Sequence, residues 1–224
     1  MALRPPGTCG FKGHFVEWRE SRIKKLTSIL GEEWFNGKEI LELACGLGDV
    51  GQHFKDLGAN VTFAEGHPDY VKQMQANIPD STIMEIDQDT GWSIDQKFDL
   101  IIHWGILYHL DDWTQDLKIA MQHSDLICLE SEVCDSNDPY FQIAVSEAGW
   151  PAGSGGALNG KAWRPSSAYI ERIITENGFS FKRYDDADLN AAYHVYDWKL
   201  RGTKTWKGGH RRFWVLRKNR KENE

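Results

Sequence analysis

The sequence predicts one α/β domain built around a mostly parallel β-sheet. Short apolar runs alternate with amphipathic helical patterns, a glycine-rich turn follows the first run, and acidic residues end the next two. Such alternation is typical of βαβ units, in which helices cover both faces of a parallel sheet. The chain has 224 residues, a length that suits one domain with insertions.

The predicted elements follow in a regular order. An amphipathic helix over residues 13–30 comes first, with an apolar face of Phe15, Trp18, Ile23, Leu26, Ile29 and Leu30. We then expect strands at 39–44, 60–65, 82–87, 98–104 and 125–133, and helices near 49–57, 68–78 and 111–122. A helix at 166–179, with Ser166 as N-cap and Gly178 as C-terminal stop, precedes two strands at 180–185 and 211–218.

Two long stretches, residues 134–163 and 187–210, fit no regular element. The first is rich in glycine and turn residues, and the second separates the last two strands by more than a hairpin needs. Long connections of this kind are commonly functional or disordered. We expect specificity to lie in these two insertions.

Composition narrows the class of protein. No apolar stretch approaches the roughly 20 residues that span a bilayer, and the N-terminus lacks an apolar signal segment, so we expect a cytoplasmic protein. The cysteines have neither disulfide nor zinc-finger spacing, so we expect free thiols and no metal. The net charge is −7, yet residues 199–224 are strongly basic. This segment either rests on an acidic body or binds an anionic partner.

The glycine-rich turn lies in ILELACGLGDVGQHF, residues 40–54. Gly46, Gly48 and Gly51 form the pattern G-x-G-x-x-G, which lets backbone approach a ligand and points helix N-terminal N–H groups at it. By itself the pattern fits either a dinucleotide or another cofactor built on adenosine.

The flanking residues decide between the two. A dinucleotide fingerprint normally follows an apolar strand directly, whereas Glu42 lies within the end of this strand and Ala44-Cys45 precede the first glycine. ELACGLG, residues 42–48, resembles the first motif of class I S-adenosylmethionine (SAM)-dependent methyltransferases, with Ala44 where many relatives have glycine. HWGILYHL, residues 103–110, closely resembles the segment that ends the fourth strand in this superfamily. The resemblance covers residues 39–133, with weaker support to the C-terminus.

The resemblance implies a Rossmann-like fold with strand order 3-2-1-4-5-7-6, strand 7 antiparallel, and SAM bound at the carboxyl ends of the strands. Glu65 is then expected to accept both ribose hydroxyls and Asp87 to contact the adenine amino group. Further expected cofactor contacts are Trp18, Arg22, Glu42, Ala44, Gly46, Gly48, Gly66, His67, Gln88, His103, Trp104 and Tyr108.

Some of these residues also have a plainer structural interpretation. Glu42 could fix the glycine loop through its backbone, and Trp18 and Arg22 could pack on the surface instead of serving as lid and carboxylate partner. Trp104 could belong to the core, and a dinucleotide enzyme would also place an acid at Glu65. The sequence leaves these alternatives open.

The chemistry requires little beyond alignment, because the sulfonium already activates the methyl group. A hydroxyl or protonated-amine acceptor would need a base, for which His109, His194 and Glu130 are candidates, although a structural hydrogen bond is an equally open role for His109. The expected acceptor contacts are Arg164, Tyr193, Tyr196, Arg211 and Arg212. The arginines suggest an anionic acceptor.

We therefore predict one SAM-dependent methyltransferase domain, with residues 1–38 as a helical lid, 39–133 as the cofactor core and the two insertions over the acceptor. The acceptor would be a small molecule or a sugar or glycan; tRNA is disfavoured by the acidic body. LESEV and Arg-Pro-Ser resemble the branch near tRNA carboxymethyluridine-type and glycan-modifying methyltransferases. The alternatives are a NAD-dependent oxidoreductase, disfavoured by the absence of Tyr-x-x-x-Lys, and a cofactor-binding pseudoenzyme that regulates a partner.

Overall fold

The computed structural model describes residues 14–148 and 156–219. In chain order its strands are β1 (Glu39–Leu43), β2 (Asn60–Glu65), β3 (Thr82–Glu85), β4 (Leu100–Trp104), β5 (Leu126–Glu132), β6 (Gln142–Ser146), β7 (Lys161–Pro165), β8 (Phe179–Tyr184) and β9 (Arg211–Lys218). Its α-helices are α1 (His14–Leu30), α2 (Asp49–Asp56), α3 (Pro68–Asn77), α4 (Trp113–His123) and α5 (Ser167–Glu176).

A seven-stranded sheet has the order β3-β2-β1-β4-β5-β9-β8. Strands β1 to β5 pair in parallel, and β9 is antiparallel to both of its neighbours. The predicted order is confirmed, since β8 and β9 are the predicted strands 6 and 7. Because the parallel strands all end at one edge, the polar residues that follow them gather there.

Two apolar clusters cover the two faces of the sheet. Alternation along β1 shows how the strands serve both, because Ile40 belongs to one cluster and its neighbour Leu41 to the other. Helices α1 and α2 pack on the first cluster, whereas α4 and α5 pack on the second. The predicted apolar face of the first helix is confirmed at Leu26, which is fully buried.

The boundaries of α5 follow the sequence signals. The Ser166 hydroxyl oxygen accepts a hydrogen bond from the backbone N–H of Tyr169 at 3.0 Å, as an N-cap does. The helix ends at Glu176, and Gly178 has a φ of 78°, which favours glycine. Both predicted signals are confirmed.

The first insertion contains a β-hairpin that the sequence analysis missed. Strands β6 and β7 pair antiparallel from Gln142 opposite Pro165 to Ser146 opposite Lys161. The prediction that 134–163 has no regular element is therefore wrong. The pattern is hard to see because both strands have five residues, β7 ends in proline, and β6 is only partly buried.

Loop hydrogen bonds order the second insertion. The Asp135 carboxylate accepts hydrogen bonds from the backbone N–H groups of Arg201 (2.7 Å) and Gly202 (2.8 Å) and from the Thr203 hydroxyl (2.7 Å). This ties residues 201–203 to the chain that follows β5.

Cys45, Cys128 and Cys134 are free and buried, whereas Cys9 lies outside the described residues. Within the described part of the chain, no helix combines the length and apolar character needed to cross a membrane.

Candidate active site

A cavity of about 830 Å³ opens at the carboxyl ends of the parallel strands. Its lining comes from α1, the glycine turn after β1, the ends of β2 and β4, both insertions, and the start of β9. This volume is within the usual range for sites that enclose a small ligand. We call the part near β1 and β2 the cofactor end and the part near β7 and β9 the acceptor end.

At the cofactor end, the glycine turn bends through the left-handed region of backbone conformation. Gly46 has a φ of 59° and Gly48 a φ of 80°. A Cβ atom on Gly48 would lie 3.1 Å from the Phe63 ring, so a side chain there would press against that ring as well as strain the backbone. Ala44 also has a positive φ, 49°, a conformation that favours glycine. The backbone is therefore strained at Ala44.

Glu42 is buried behind this turn. Its Oε2 accepts a hydrogen bond of 2.7 Å from the backbone N–H of Gly51, near the start of α2. Burial raises the pKa of the Glu42 carboxyl to about 8. A Cβ atom on Gly51 would lie 2.5 Å from the same oxygen, which explains why glycine stands there. Glu42 thus fixes the glycine loop, and it also lines the cavity.

Glu65, the last residue of β2, holds the turn from the other side. Its Oε2 accepts from the backbone N–H of Gly46 at 2.7 Å, and its Oε1 accepts from that of His67 at 2.8 Å. Burial raises the pKa of this carboxyl. Each carboxylate oxygen has two lone pairs, so Glu65 retains capacity for further donors such as ligand hydroxyls. The cavity lining includes Glu65 and Gly66.

The predicted contacts that follow β3 or lie on β4 divide between the cavity and the core. Asp87, Gln88 and Trp104 line the cavity, although the Gln88 amide donates to Asp116 Oδ1 at 2.9 Å. His103 lies between two cavity-lining residues of β4, so alternation directs its ring to the opposite face. There its Nε2 is 2.6 Å from Asp116 Oδ2, and the ring is fully buried. The prediction of a His103 side chain at the cofactor is therefore wrong.

Arg211 is the centre of the acceptor end. Its Nη2 donates to the Tyr108 hydroxyl at 2.8 Å, and its Nε donates to His194 Nδ1 at 2.9 Å. Its guanidinium lies 4.3 Å from the Trp18 ring centroid, and the His194 ring stacks on the same indole at 4.2 Å. These four side chains line the cavity together.

A second, buried layer lies behind Trp18 and Arg211. Glu130 Oε1 accepts from Arg211 Nη1 at 3.0 Å and from the Tyr196 hydroxyl at 3.1 Å, and its Oε2 lies 3.4 Å from Arg22 Nη1. Tyr196 in turn accepts from Trp18 Nε1 at 2.7 Å. Glu130 and Tyr196 are both fully buried and belong to this layer, not to the cavity lining.

These positions correct two predictions. Glu130 is a support for Arg22 and Arg211 rather than a base, and Tyr196 supports Trp18 rather than walling the acceptor. Trp18 and Arg22 of α1 do not simply pack on the surface, because both are buried and both line the cavity.

Arg164 anchors the other side of the acceptor end. Its Nε donates to Glu132 Oε2 at 2.7 Å, and its Nη2 donates to Glu147 Oε1 at 2.7 Å. The second oxygen of Glu147 lies 2.6 Å from His109 Nδ1. Glu147 was not identified from the sequence, because it lies in an insertion without a motif. Only the folded hairpin brings it beside His109.

Arg212 faces away from the cavity, because it follows Arg211 along a strand. Its guanidinium lies 4.0 Å from the Trp198 ring centroid, and its Nη2 donates to the Trp198 carbonyl at 3.0 Å. The prediction of Arg212 at the acceptor is therefore wrong. Tyr193 is 55% exposed and lines the mouth of the cavity.

A match to a family model shows which protein family the chain belongs to. A family model described as a methyltransferase domain matches residues 15–181, about three quarters of the chain. The chain belongs to this family. The predicted membership of the class I SAM-dependent methyltransferases is confirmed, whereas the particular branch stays a prediction. No curated protein matches the sequence.

Solved structures agree on the fold of this methyltransferase. The N-terminal domain of EvdMO1 with SAH (S-adenosylhomocysteine) bound is 17% identical to this chain. Its TM-score is 0.67 over 90% of this chain and 81% of that one. Magnesium protoporphyrin IX methyltransferase from Synechocystis PCC 6803 with bound SAH is 14% identical, with a TM-score of 0.61 over 97% and 91%. A DhpI-SAM-HEP complex is 15% identical, with a TM-score of 0.61 over 92% and 88%. The predicted Rossmann-like architecture is confirmed.

The charges at the acceptor end of the methyltransferase are balanced. Its buried arginines each contact a buried glutamate: Arg22 and Arg211 contact Glu130, and Arg164 contacts both Glu132 and Glu147. Buried charges require such pairing, because an unpaired ion is poorly solvated by protein. The arginines therefore add little net positive charge to the cavity.

Proposed function

We propose that this methyltransferase binds SAM at the cofactor end and transfers its methyl group to a small-molecule acceptor held at the acceptor end. The observation that carries the proposal is the continuous cavity of about 830 Å³, which joins the glycine turn to the aromatic and polar residues around Arg211. Both insertions contribute to its lining, so the acceptor is covered by protein as a small molecule requires. A tRNA base would need an open basic surface instead.

The cofactor end fits SAM by its donor and acceptor groups. The Glu65 carboxylate has lone pairs for two ribose hydroxyls, and Asp87 offers a carboxylate for the adenine amino group. Gly46 lines the cavity, so the turn presents backbone without a side chain to the methionine portion. The bound cofactor supplies a methyl group already activated by its sulfonium. The protein then contributes binding, orientation and exclusion of water.

The solved neighbours support this assignment in what they bind. EvdMO1 was crystallised with SAH, and also in the presence of SAH and D-fucose, while DhpI was crystallised with SAM and HEP. The predicted roles of α1 as a lid and of the two insertions as acceptor covers are part of the proposal. Trp18, Tyr193 and Arg164 all line the cavity, which supports those roles.

The balanced charges favour a polar, uncharged acceptor over an anionic one. Arg164 and Arg211 line the cavity, yet both already bind glutamates, and Arg212 lies on the other face of β9. Their remaining N–H groups can orient an acceptor as hydrogen-bond donors. An anion would have to compete with three carboxylates.

Thermal unfolding with S-adenosylhomocysteine and with NAD tests the proposed function. A ligand that binds the native state stabilises it by about 3 kcal/mol at a hundredfold excess over its Kd. We expect S-adenosylhomocysteine to raise the melting temperature and NAD to leave it unchanged. A shift with NAD alone would indicate an oxidoreductase. Methyl-labelled SAM incubated with metabolite and RNA fractions should label a small molecule; binding without any transfer would indicate a pseudoenzyme.

A further inference from the structure

Three side chains form a hydrogen-bonded chain at the wall of the acceptor end. Arg164 Nη2 lies 2.7 Å from Glu147 Oε1, and Glu147 Oε2 lies 2.6 Å from His109 Nδ1. The Ala157 N–H also donates to Glu147 Oε2 at 2.8 Å. Arg164 and Glu147 are almost completely buried, and His109 lines the cavity. The imidazole is therefore held in one orientation by a carboxylate that is itself fixed.

This chain determines where the proton of His109 resides. Glu147 is a carboxylate, because hydrogen bonds from His109 and Arg164 outweigh burial and lower its pKa to about 2. A carboxylate only accepts hydrogen bonds, so His109 Nδ1 carries the proton and donates it. In the neutral imidazole the lone pair is then on Nε2, the nitrogen opposite Glu147.

His194 has the opposite arrangement. Its Nδ1 lies 2.9 Å from Arg211 Nε, and a guanidinium can only donate. The lone pair of neutral His194 is therefore used at Nδ1, and its Nε2 carries the proton. His194 can offer a hydrogen bond through Nε2 but cannot take a proton there. Glu130 lies in the buried layer and does not line the cavity. Of the three predicted base candidates, His109 therefore has the geometry that suits removal of a proton from the acceptor.

We infer that His109 is the general base of the reaction, that Glu147 is the residue that positions it, and that the acceptor atom is the oxygen of a hydroxyl group. The inference rests on the proposed function, because it presumes methyl transfer in this cavity. A carboxylate or thiolate acceptor would need no base. A fixed basic nitrogen next to a charge-balanced cavity therefore points to an acceptor that must lose a proton. Glu132 and Glu147 line the acceptor end, and both already bind Arg164, so neither is left to hold an ammonium ion; this favours a hydroxyl over a protonated amine.

The proposed step couples a proton transfer to the methyl transfer. His109 Nε2 takes the hydroxyl proton as the oxygen forms a bond to the methyl carbon. The carbon–sulfur bond of SAM breaks, and its electron pair stays on sulfur, so the sulfonium becomes a neutral thioether. The products are a methyl ether, S-adenosylhomocysteine and an imidazolium ion. Glu147 stabilises that imidazolium as it forms.

The groups that face His109 set its proton affinity. Burial lowers the pKa of His109, Glu147 raises it, and Arg164 and Arg211 lower it; Tyr108 packs against the ring at 4.1 Å. The outcome is a pKa below the ordinary 6.5, so the base is neutral at pH 7. The reaction rate should therefore be independent of pH above neutrality and fall as acid protonates His109.

The chemical nature of the product is the first test. The protein is incubated with isotopically methyl-labelled SAM and a fractionated metabolite extract, and the labelled product is isolated. The NMR signal of the methyl group distinguishes an ether from an N-methyl or S-methyl group, alkali releases methanol from a carboxylic ester, and coupling to phosphorus reveals a phosphorus ester. We expect a methyl ether. Any other class overturns this inference alone, whereas failure to bind S-adenosylhomocysteine overturns the proposed function.

Variants of the two residues provide the second test, with the labelled fraction as acceptor. His109→Gln should lower kcat at least roughly 100-fold and leave the Kd of S-adenosylhomocysteine nearly unchanged. Glu147→Gln should lower kcat roughly 10-fold or more and move the acid limb of the pH–rate profile to lower pH, since the charge that raises the His109 pKa is lost. A merely structural Glu147 would leave that limb in place and so refute the positioning role.

Matched controls and an acceptor-free measurement complete the test. His53→Gln on α2 and Glu85→Gln at the end of β3 change the same residue types away from the cavity and should leave kcat and its pH dependence unchanged. Nitrogen NMR of His109 in the S-adenosylhomocysteine complex should show the Nδ1–H tautomer. Observation of the Nε2–H tautomer would overturn the inference even if a variant fails to fold.

Discussion

Glutamates stand at the ends of parallel strands on both sides of the cavity, but they bind different partners. At the cofactor end, Glu42 and Glu65 accept hydrogen bonds from backbone N–H groups close to them in the fold of the glycine turn. At the acceptor end, Glu130 and Glu132 on β5 bind arginines from α1, β7 and β9. One end is built by a short segment of chain, and the other by elements that lie far apart in sequence.

This difference separates what each carboxylate does for the protein. A carboxyl group held by backbone N–H groups keeps hydrogen bonds that substitution of a neighbouring side chain leaves in place. A carboxylate held by arginines depends on side chains, and the loss of one partner leaves a buried charge unpaired. Single substitutions at the acceptor end should therefore lower stability more than those at the cofactor end. Substitutions at the cofactor end should mainly weaken ligand binding.

The largest expected effect is on stability at the acceptor end. Glu130→Ala leaves Arg22 and Arg211 without their shared carboxylate and should lower the free energy of unfolding by about 3 to 5 kcal/mol. Urea denaturation measures this change. Asp125→Ala removes the partner of Lys218 in an exposed pair and should cost less than about 1 kcal/mol. Equal losses in the two variants would contradict the contrast between the buried and exposed pairs.

The next effect is on cofactor affinity. Glu65→Ala removes a charged acceptor and should weaken S-adenosylhomocysteine binding by about 1.5 to 3 kcal/mol, or about 10-fold to 150-fold. Titration calorimetry measures the Kd directly. Glu85→Ala is the matched control, since Glu85 pairs with Glu65 in register on β3 but is exposed. If both variants bind like the wild type, the cofactor does not use the end of β2.

A smaller effect per pH unit is expected from the carboxyl of Glu42. Because its pKa is raised from 4.5 to about 8 in the folded protein, Glu42 retains a proton there that the unfolded chain has lost. Its contribution to stability is full below the unfolded pKa and disappears as pH rises through about 8, at up to about 1.4 kcal/mol per pH unit. Urea denaturation across this window should show a shallower pH dependence in Glu42→Gln. An unchanged slope would mean that Glu42 is ionised in the folded protein.

The smallest expected effect has the opposite sign. Ala44→Gly should relieve the positive φ of 49° and raise the free energy of unfolding by about 0.5 to 1 kcal/mol. Thermal unfolding measures the gain. Ala76→Gly, at an exposed position of α3, should instead cost about 1 kcal/mol, because glycine is a poor helix former. A loss at both positions would show that Ala44 is not strained.

The same contrast explains how far the sequence alone could lead. The alternation of strands and helices and the acidic end of β2 follow from local patterns, because a strand, its turn and the next helix are adjacent in the chain. The order of the strands and the role of Glu65 follow from the resemblance to the methyltransferases. Glu147 could not be found this way, since its partners His109 and Arg164 meet it only after the hairpin forms. The sequence predicts His103 and Arg212 at the cavity, but strand alternation turns each to the other face. A strand that is buried on both faces lacks a clear alternation of apolar and polar residues. Its sequence therefore does not reveal which residues face the cavity.

The position of β9 between β5 and β8 also sets an order of assembly during synthesis. The glycine turn, Glu65 and β4 are synthesised before either insertion. Arg211 begins the last strand of the sheet, and until it emerges from the ribosome the facing edges of β5 and β8 have no partner strand. A nascent chain that ends before residue 211 should therefore hold an open sheet with exposed edges, prone to chaperone capture, and closure of the sheet and completion of the acceptor end should occur as one late event.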